Sequence, residues 1–478
     1  MGEKKTREIK KIIGVEARAP GLHVFSRFPL PRLGLPLLGK ILELEGYDVR
    51  IYCPDLRRID WNDVWSADLI LISSTTSTAP EAYRIAQEAR NRGIPVVFGG
   101  SHVTFKPEEA LQFADYVVRG EGEQTIVELL EWLGGGGRSN IFDIHGLSFR
   151  MEGRIHHNPS RPPLRDLDAL PYPDLSLIQG FEKIKVVPMI TSRGCPFNCT
   201  FCSVTKMFGR GYRFRSTMNV VDEIEKLCRQ FPEKSFFFYD DNFTASPRRT
   251  KALLKEILKR RIHFRWMAQT RTDVAKDEEL VSLMSETGCT RLFIGLESVN
   301  PETLKAYRKN QTVEEIDECI EVLRRHDISV HGMFALGGDE DDLATIKNTV
   351  SFALRRRLST VQFLILTPIP GSDFYGEMVS QGRIINEEWS EYDGHHVKFT
   401  PMRISPWKLQ IATVPRAMIK FYSLKQSLKL LLRGDKDFLT RIYGRWLIAR
   451  WTQHNRGFLN SLRRLSRTRE ANIVGVRE

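Results

Sequence analysis

Thr191-Ser-Arg-Gly-Cys-Pro-Phe-Asn-Cys-Thr-Phe-Cys202 follows the apolar stretch Ile184 to Ile190. It sets three cysteines, Cys195, Cys199 and Cys202, at a Cys-x3-Cys-x2-Cys spacing. A cubane iron–sulfur cluster takes four thiolates, one per iron. Three thiolates with no fourth at hand leave one iron open to a ligand from outside the protein. The competing reading is a structural zinc knot, which needs four Cys or His ligands at finger-like spacing. No fourth ligand follows at that spacing, and the next histidine is His263. The open-iron reading is the stronger one.

The rest of the composition agrees with metal-binding thiols. Of seven cysteines three are clustered; Cys53, Cys228, Cys289 and Cys319 are scattered over strand and helix patterns and read as small buried residues. That usage points to a reducing cytosol rather than a disulfide framework, and a cytoplasmic location is expected. No secretory signal and no apolar run long enough to span a bilayer is found. At 478 residues the chain suits about three domains. Its net charge of +12 is uneven: from Pro401 to Glu478 there are 17 Lys and Arg against 4 Asp and Glu, while the first 400 residues hold 54 against 55. Such asymmetry marks a local surface for an anionic partner. Met1-Gly-Glu-Lys-Lys-Thr6 also fits a myristoylation pattern, a short match that carries little weight.

Before the cysteines the pattern alternates. Strand-like runs at Lys11–Ala17, Val49–Pro54, Leu69–Ser74, Val96–Gly100 and Tyr116–Val118 are separated by helical patterns at Leu35–Gly46, Pro80–Gly93, Pro107–Phe113 and Glu123–Leu133. Short strands apolar on both faces, alternating with amphipathic helices, predict a doubly wound parallel sheet. Ligands of such sheets bind at the carboxyl ends of the strands. Gly134–Gly137 is a break, and the Pro-rich run Arg161–Asp174 reads as an extended linker. A second series follows, with strands at Val186–Ser192, Ser235–Asp241, His263–Arg271, Arg291–Ser298, Val330–Gly337 and Val361–Pro368, each pair separated by a helical pattern. Six such units suit a partial TIM-like barrel, whose chemistry sits at the carboxyl ends of its strands. The cysteines follow its first strand. From Ser405 the chain reads as helical, with Ser405-Pro406 as N-cap and N1 and Gly434 as a C-cap.

With Phe201 before the last cysteine, this motif resembles the signature of the radical S-adenosylmethionine (SAM) enzymes. In domain order and motif placement the chain resembles the cobalamin-binding branch, especially the group related to the anaerobic magnesium-protoporphyrin monomethyl ester cyclase, over roughly residues 10 to 400. The resemblance implies an α/β protein in four parts. An N-terminal doubly wound, Rossmann-like (flavodoxin-like) cobalamin-binding domain spans 1–140 and a linker 141–184. A (β/α)6 radical SAM barrel spans 185–400, and a basic helical extension 401–478. It implies a [4Fe-4S] cluster on Cys195, Cys199 and Cys202, with SAM chelating the open iron and being cleaved to a 5′-deoxyadenosyl radical. SAM contacts carry over to Phe201, to Asp240, Asp241 and Asn242 after the second barrel strand, and to Gly295, Glu297 and Ser298 at the end of the fourth. Leu336 and Gly337, with Gly332 and Gly338, stand where the family needs close backbone approach to SAM, and Pro368 stands near the adenine. Cobalamin contacts carry over to Ser74, Thr75, Gly99, Gly100, His102, Gly120 and Glu121. The Asp-x-His-x-x-Gly motif that supplies a lower cobalt ligand is absent: Asp55-Leu-Arg-Arg-Ile-Asp60 has no histidine.

The reaction expected from the resemblance is methyl transfer to an unactivated carbon of a small-molecule or lipid-like substrate, with oxidative cyclisation as the alternative. A low-potential donor such as flavodoxin or ferredoxin is implied. A methylthiotransferase is disfavoured, since its second cluster cannot be built from Cys53, the only cysteine in the first 190 residues. From another class comes a binding protein whose basic tail grips membrane or nucleic acid. Leu439, Ile442, Trp446 and Leu447 can share one helix face, either packed on the barrel as a cap or facing an anionic membrane peripherally. No nucleic-acid motif accompanies the charge.

Overall fold

The structure, a computed structural model, describes residues 8–18, 30–135, 140–432 and 437–474, with side chains to Ser466. The myristoylation pattern, Gly136, Gly137 and the expected C-cap Gly434 lie outside the described residues. The described chain folds as two compact units. One comprises the residues up to Pro196 together with Val204–Phe237, the other Phe197–Ser203 and the residues from Phe238 onward.

The first unit is built on a seven-stranded sheet: β1 (Lys11–Glu16), β2 (Asp48–Tyr52), β3 (Leu69–Ser73), β4 (Val96–Gly99), β5 (Tyr116–Val118), β6 (Leu147–Met151) and β7 (Arg154–His157), in the order β2-β1-β3-β4-β5-β6-β7. The first five are parallel. Their order is the flavodoxin-like 2-1-3-4-5, whose switch point lies between β1 and β3. Ile12, Ile13, Val15, Leu69, Ile70, Val96 and Phe98 are all buried, as strands covered by helices on both faces require.

The sheet does not end at residue 140. β6 and β7 pair antiparallel onto β5, so part of the expected linker belongs to the sheet. Glu152 and Gly153 join them with φ of 50° and 76°, the two left-handed residues of a tight hairpin turn. Asn158 then donates to the carbonyls of Ile141 and Ile144, and Arg161 binds Thr125, Gln124 and Glu128. Side-chain bonds of this kind leave the segment no freedom as a linker.

The barrel strands are β8 (Val186–Met189), β11 (Ser235–Phe238), β12 (Arg265–Thr270), β13 (Cys289–Glu297), β14 (Ser329–Leu336) and β15 (Thr360–Ile365), in the order β15-β14-β13-β12-β11-β8. A small antiparallel pair, β9 (Ser192–Arg193) and β10 (Arg213–Phe214), lies beside the cysteine loop in sequence. Helix starts are encoded locally. Thr312 with Glu315, and Asp342 with Thr345, form reciprocal capping boxes, and Pro247 and Pro301 stand at first helical positions. The expected strands and helices are all present, with ends shifted by a few residues.

β15 is an edge strand, and the helical C-terminal region covers it. Tyr422 Oη accepts from Val361 N–H at 3.0 Å and donates to Val361 C=O at 2.7 Å. Arg441, stacked 4.2 Å over the Phe421 ring, donates to the carbonyls of Leu358 and Ser359. The helical cap reading therefore holds for the inner face. Edge groups that would otherwise template association are satisfied within the chain. Tyr422→Phe strands a buried N–H and C=O, so thermal and denaturant unfolding should register a loss of about 2 kcal/mol. A change within error would show that water replaces the hydroxyl.

Candidate active site

In the second unit the segment Phe197–Ser203, with Cys199 and Cys202, is held by backbone bonds at its centre. Thr200 N–H donates to Tyr307 C=O at 3.2 Å, and Phe374 N–H donates to Thr200 C=O at 2.9 Å. Phe201 packs edge-on against Tyr307, ring centroids 5.3 Å apart, and joins the apolar cluster of Ala335, Leu366, Phe374 and Phe399. Phe201 thus anchors the loop through its ring. Cys199 lies 4.0 Å from Arg271 Nη1, and the same guanidinium stacks 3.8 Å over Phe197.

Arg271 also donates to Lys309 C=O. Lys309 Nζ is 2.7 Å from Glu297 Oε1, and both side chains are buried. Gln311 donates to the carbonyls of Gly295 and Leu296 at the end of β13 and accepts from Thr272 Oγ1. Glu297 has φ 59°, Arg308 51° and Asn310 49°, left-handed conformations that residues other than Gly adopt at a cost. Gly295 is required here, because a Cβ would strike both the Glu297 carboxylate and the Lys309 ammonium. Glu297 and Gly295 are therefore brought together as expected, while Lys309, Gln311 and Arg271 were not foreseen. The lysine and glutamine lie just ahead of the helix at Thr312, in a segment with no periodicity to mark it.

Other expected positions resolve differently. Asp240 and Asn242 are buried and Asp241 is exposed, so the acidic pair divides. Asn242 Oδ1 accepts from Thr244 and Thr270, and its buried Nδ2 has no hydrogen-bond partner. Ser298 Oγ accepts from Asn300 N–H at a helix start, and Pro368 is buried. The close approach expected at Gly332, Leu336, Gly337 and Gly338 serves the protein's own packing. A Cβ would meet Leu409 at 2.5 Å from Gly337, the Tyr307 hydroxyl at 2.8 Å from Gly338 and Leu358 at 2.7 Å from Gly332. Asp341 fixes this turn, accepting from Gly337 N–H and Thr303 Oγ1.

In the first unit the expected cobalamin positions gather at the strand ends. Ser74, just after β3 at the switch point, is fully buried and its Oγ has no partner. Gly100 has φ 105°, and a Cβ there would overlap the Ser74 carbonyl. Nothing lies within 4 Å of where a Cβ on Gly99 or Gly120 would sit. Thr104 Oγ1 links the two loops, donating to Gly100 C=O and accepting from Gly120 N–H. Thr75 is engaged in a capping box with Thr78. His102 is engaged within the protein: its ring is fully buried, with Nε2 3.1 Å from the Tyr83 hydroxyl.

Glu121 is engaged within the protein as well. Its carboxylate accepts from both Nη atoms of Arg213, at 2.6 and 3.0 Å, and from Leu164 N–H. Arg193 pairs with Glu121 at 3.4 Å and with Glu123 at 2.6 Å. Both arginines belong to the β9–β10 pair, and Arg193 stands two residues before Cys195. Burial works against the charged Glu121, but the Arg213 bonds, the Arg193 charge and the backbone N–H together outweigh it and hold its carboxyl below the usual range.

The donor sets fit the groups that the sequence implies. The three cysteines form no disulfide and are partly exposed, whereas Cys53 and Cys319 are buried with thiols pushed up to about 12 by burial. Among the described residues no three metal-ligating side chains could hold a single ion; thiolates of a cubane, each on its own iron, need not converge. The unpartnered Ser74 Oγ and the open space at Gly99 and Gly120 suit a ligand at the switch point.

Two tests follow from these ion pairs. Lys309→Met should cost about 3 kcal/mol in unfolding experiments by leaving Glu297 buried and unpaired, and adding Glu297→Gln should restore most of it. Strictly additive losses would contradict the pairing. Glu121→Gln should lower the melting temperature at neutral pH. A carboxyl depressed in the folded state stabilises above its unfolded value, and that contribution is lost on acidification. The gap between wild type and variant should therefore close as pH falls below 4.5, the ordinary Glu value. A gap independent of pH would remove the charge from the argument.

Comparison with known proteins agrees with this geometry. The radical SAM superfamily model matches residues 189–353, and the B12 binding domain model matches 25–130. An uncharacterised methyltransferase of Pyrococcus horikoshii, PH0819, is 31% identical over 76% of this chain and 81% of its own length. Bacteriochlorophyllide d C-12(1)-methyltransferase of Chlorobaculum tepidum is 29% identical over 72% of each. The fold is that of OxsB, a cobalamin-dependent SAM radical enzyme, with a TM-score of 0.71 at 18% identity over 94% of this chain and 72% of OxsB. The chain belongs to the cobalamin-binding radical SAM enzymes, the family that includes methyltransferases and the anaerobic magnesium-protoporphyrin IX monomethyl ester cyclases.

Proposed function

We propose that the protein transfers a methyl group to an unactivated carbon of a small, lipid-like substrate, drawing electrons from a low-potential donor such as flavodoxin or ferredoxin. The observation that carries this reading is the stapled cysteine loop beside the Glu297–Lys309 pair, in a chain whose relatives named as methyltransferases match it along most of its length. When bound, the cluster and cobalamin supply one-electron cleavage of SAM and a carrier for the methyl group. The chain's own residues do the rest. Cys195, Cys199 and Cys202 would hold the cluster through their thiolates. Glu297, fixed by Lys309, offers a carboxylate to the ammonium of SAM, and Lys309 offers an ammonium to its carboxylate. Arg271 keeps a positive charge beside Cys199. Ser74, Gly99 and Gly120 would offer cobalamin a hydroxyl and open backbone, while His102 is held in the core by Tyr83.

Purification with hydroxocobalamin, followed by anaerobic iron–sulfur reconstitution, tests the proposal. A bound corrinoid is expected, with a spectrum unchanged in His102→Ala, and label from methyl-deuterated SAM should appear in it. Replacing all three cysteines with Ala should abolish cluster absorption and SAM cleavage while corrinoid binding persists. Failure to bind a corrinoid would remove cobalamin-dependent transfer. Stoichiometric zinc without iron uptake in anaerobically purified protein would end the radical reading.

A further inference from the structure

The helical region after Ser405 uses only part of its apolar surface to cover the barrel. In the helix Asp437–His454, Leu447, Ile448 and Trp451 are buried. The same helix turns outward Leu439, Ile442, Tyr443 and Trp446, whose i, i+3, i+4, i+7 spacing is one helix face. The helix Leu424–Leu431 packs on it and exposes Leu424, Leu428 and Leu431, again one face, followed by Leu432. These side chains are between 39 and 80% exposed. Single exposed leucines are ordinary, but two stripes on adjoining helices mark an interaction surface.

Charge says what covers it. Lys420, Lys425, Lys429 and Arg450 are exposed on or beside the same helices. Among described side chains from Pro401 to Ser466 the one acid, Asp437, is tied to Arg291 at 2.8 Å. Leucine and lysine thus alternate on the outer surface of Leu424–Leu431. Tyr443 and Trp446 stack at 5.7 Å, with Arg450 5.3 Å from the Trp446 ring. No helix among the described residues is long and apolar enough to cross a membrane. A lipid interface accommodates this whole set: leucines enter the acyl boundary, the aromatic rings sit at headgroup depth, and long cationic side chains reach back to phosphate. We propose that the helices Leu424–Leu431 and Asp437–His454 form a docking surface for an anionic lipid bilayer, held by shallow apolar insertion and by cation–phosphate attraction together. The proposal does not depend on which carbon the enzyme modifies, though it would bring the barrel to substrates dissolved in lipid.

The test sediments the full-length holoenzyme with vesicles of phosphatidylcholine alone or mixed with phosphatidylglycerol, at low and high salt. Binding to the anionic vesicles, weakened by salt, is expected. Leu428→Glu with Trp446→Glu should lower partitioning about tenfold, since both stripes lose their insertion, with the melting curve and corrinoid binding unchanged. Lys425→Glu with Lys429→Glu should erase the preference for anionic over neutral vesicles. No vesicle binding, or undiminished binding by the Leu428→Glu, Trp446→Glu protein, overturns the proposal. So does a concentration-dependent dimer that the same pair dissolves, which would give the surface to a second copy of the chain. Salt-sensitive binding to RNA in place of vesicles would give it to nucleic acid.

Discussion

The chemistry of the site depends on fixing a loop that has little structure of its own. Three cysteines must stay reduced, spaced and partly exposed, so they cannot be buried and held by packing alone. The fold answers with two backbone bonds to Thr200, from Phe374 and to Tyr307, and with two aromatic anchors. Phe201 enters the apolar cluster around Tyr307, and Phe197 lies under the Arg271 guanidinium. The cysteines keep their access while their neighbours are immobilised. Arg271 couples this holding device to the next, since it also binds the Lys309 carbonyl behind Glu297.

Electrostatics set the character of that wall. Arg271 and Lys309 supply two buried cations beside the buried carboxylate of Glu297 and the more exposed Asp273, an arrangement that suits anionic thiolates and a zwitterionic ligand. The cost shows in the backbone, where Glu297, Arg308 and Asn310 hold left-handed conformations around the lysine. In the first unit Glu121 and Glu123 do the opposite work. They neutralise Arg193 and Arg213 on the strands flanking the cysteine loop in sequence, so the loop after β5 has a structural task next to its glycines.

Much of this architecture could be read from the sequence because its signals are local. Runs such as Leu69–Ser73 and Val96–Gly99 are short and apolar throughout, barrel helices such as Val313–Arg325 and Leu343–Arg355 carry their own caps, and the cysteine spacing needs no tertiary context. What escaped reading depends on partners distant in the chain. Lys309 gains its meaning from Glu297 and Arg271, Glu121 from Arg213, and Gly337 from Leu409. His102, expected as a cobalamin contact in a glycine-rich segment, is buried beside the Tyr83 hydroxyl, a partner the sequence alone did not reveal. The β6–β7 hairpin was hidden by polar alternation in Arg154–His157, although Glu152-Gly153 was a turn signal in plain sight. In the helix Asp437–His454 the expected face divides: Leu447 packs inward while Leu439, Ile442 and Trp446 point outward.

The central claim is that three cysteines of one stapled loop leave an iron open for SAM. Electron paramagnetic resonance of the reconstituted, dithionite-reduced protein tests it most directly. The account predicts the signal of a reduced four-iron cluster whose g-values shift when SAM is added. A cluster signal that SAM leaves unchanged, in protein shown by equilibrium dialysis to bind SAM, would contradict it.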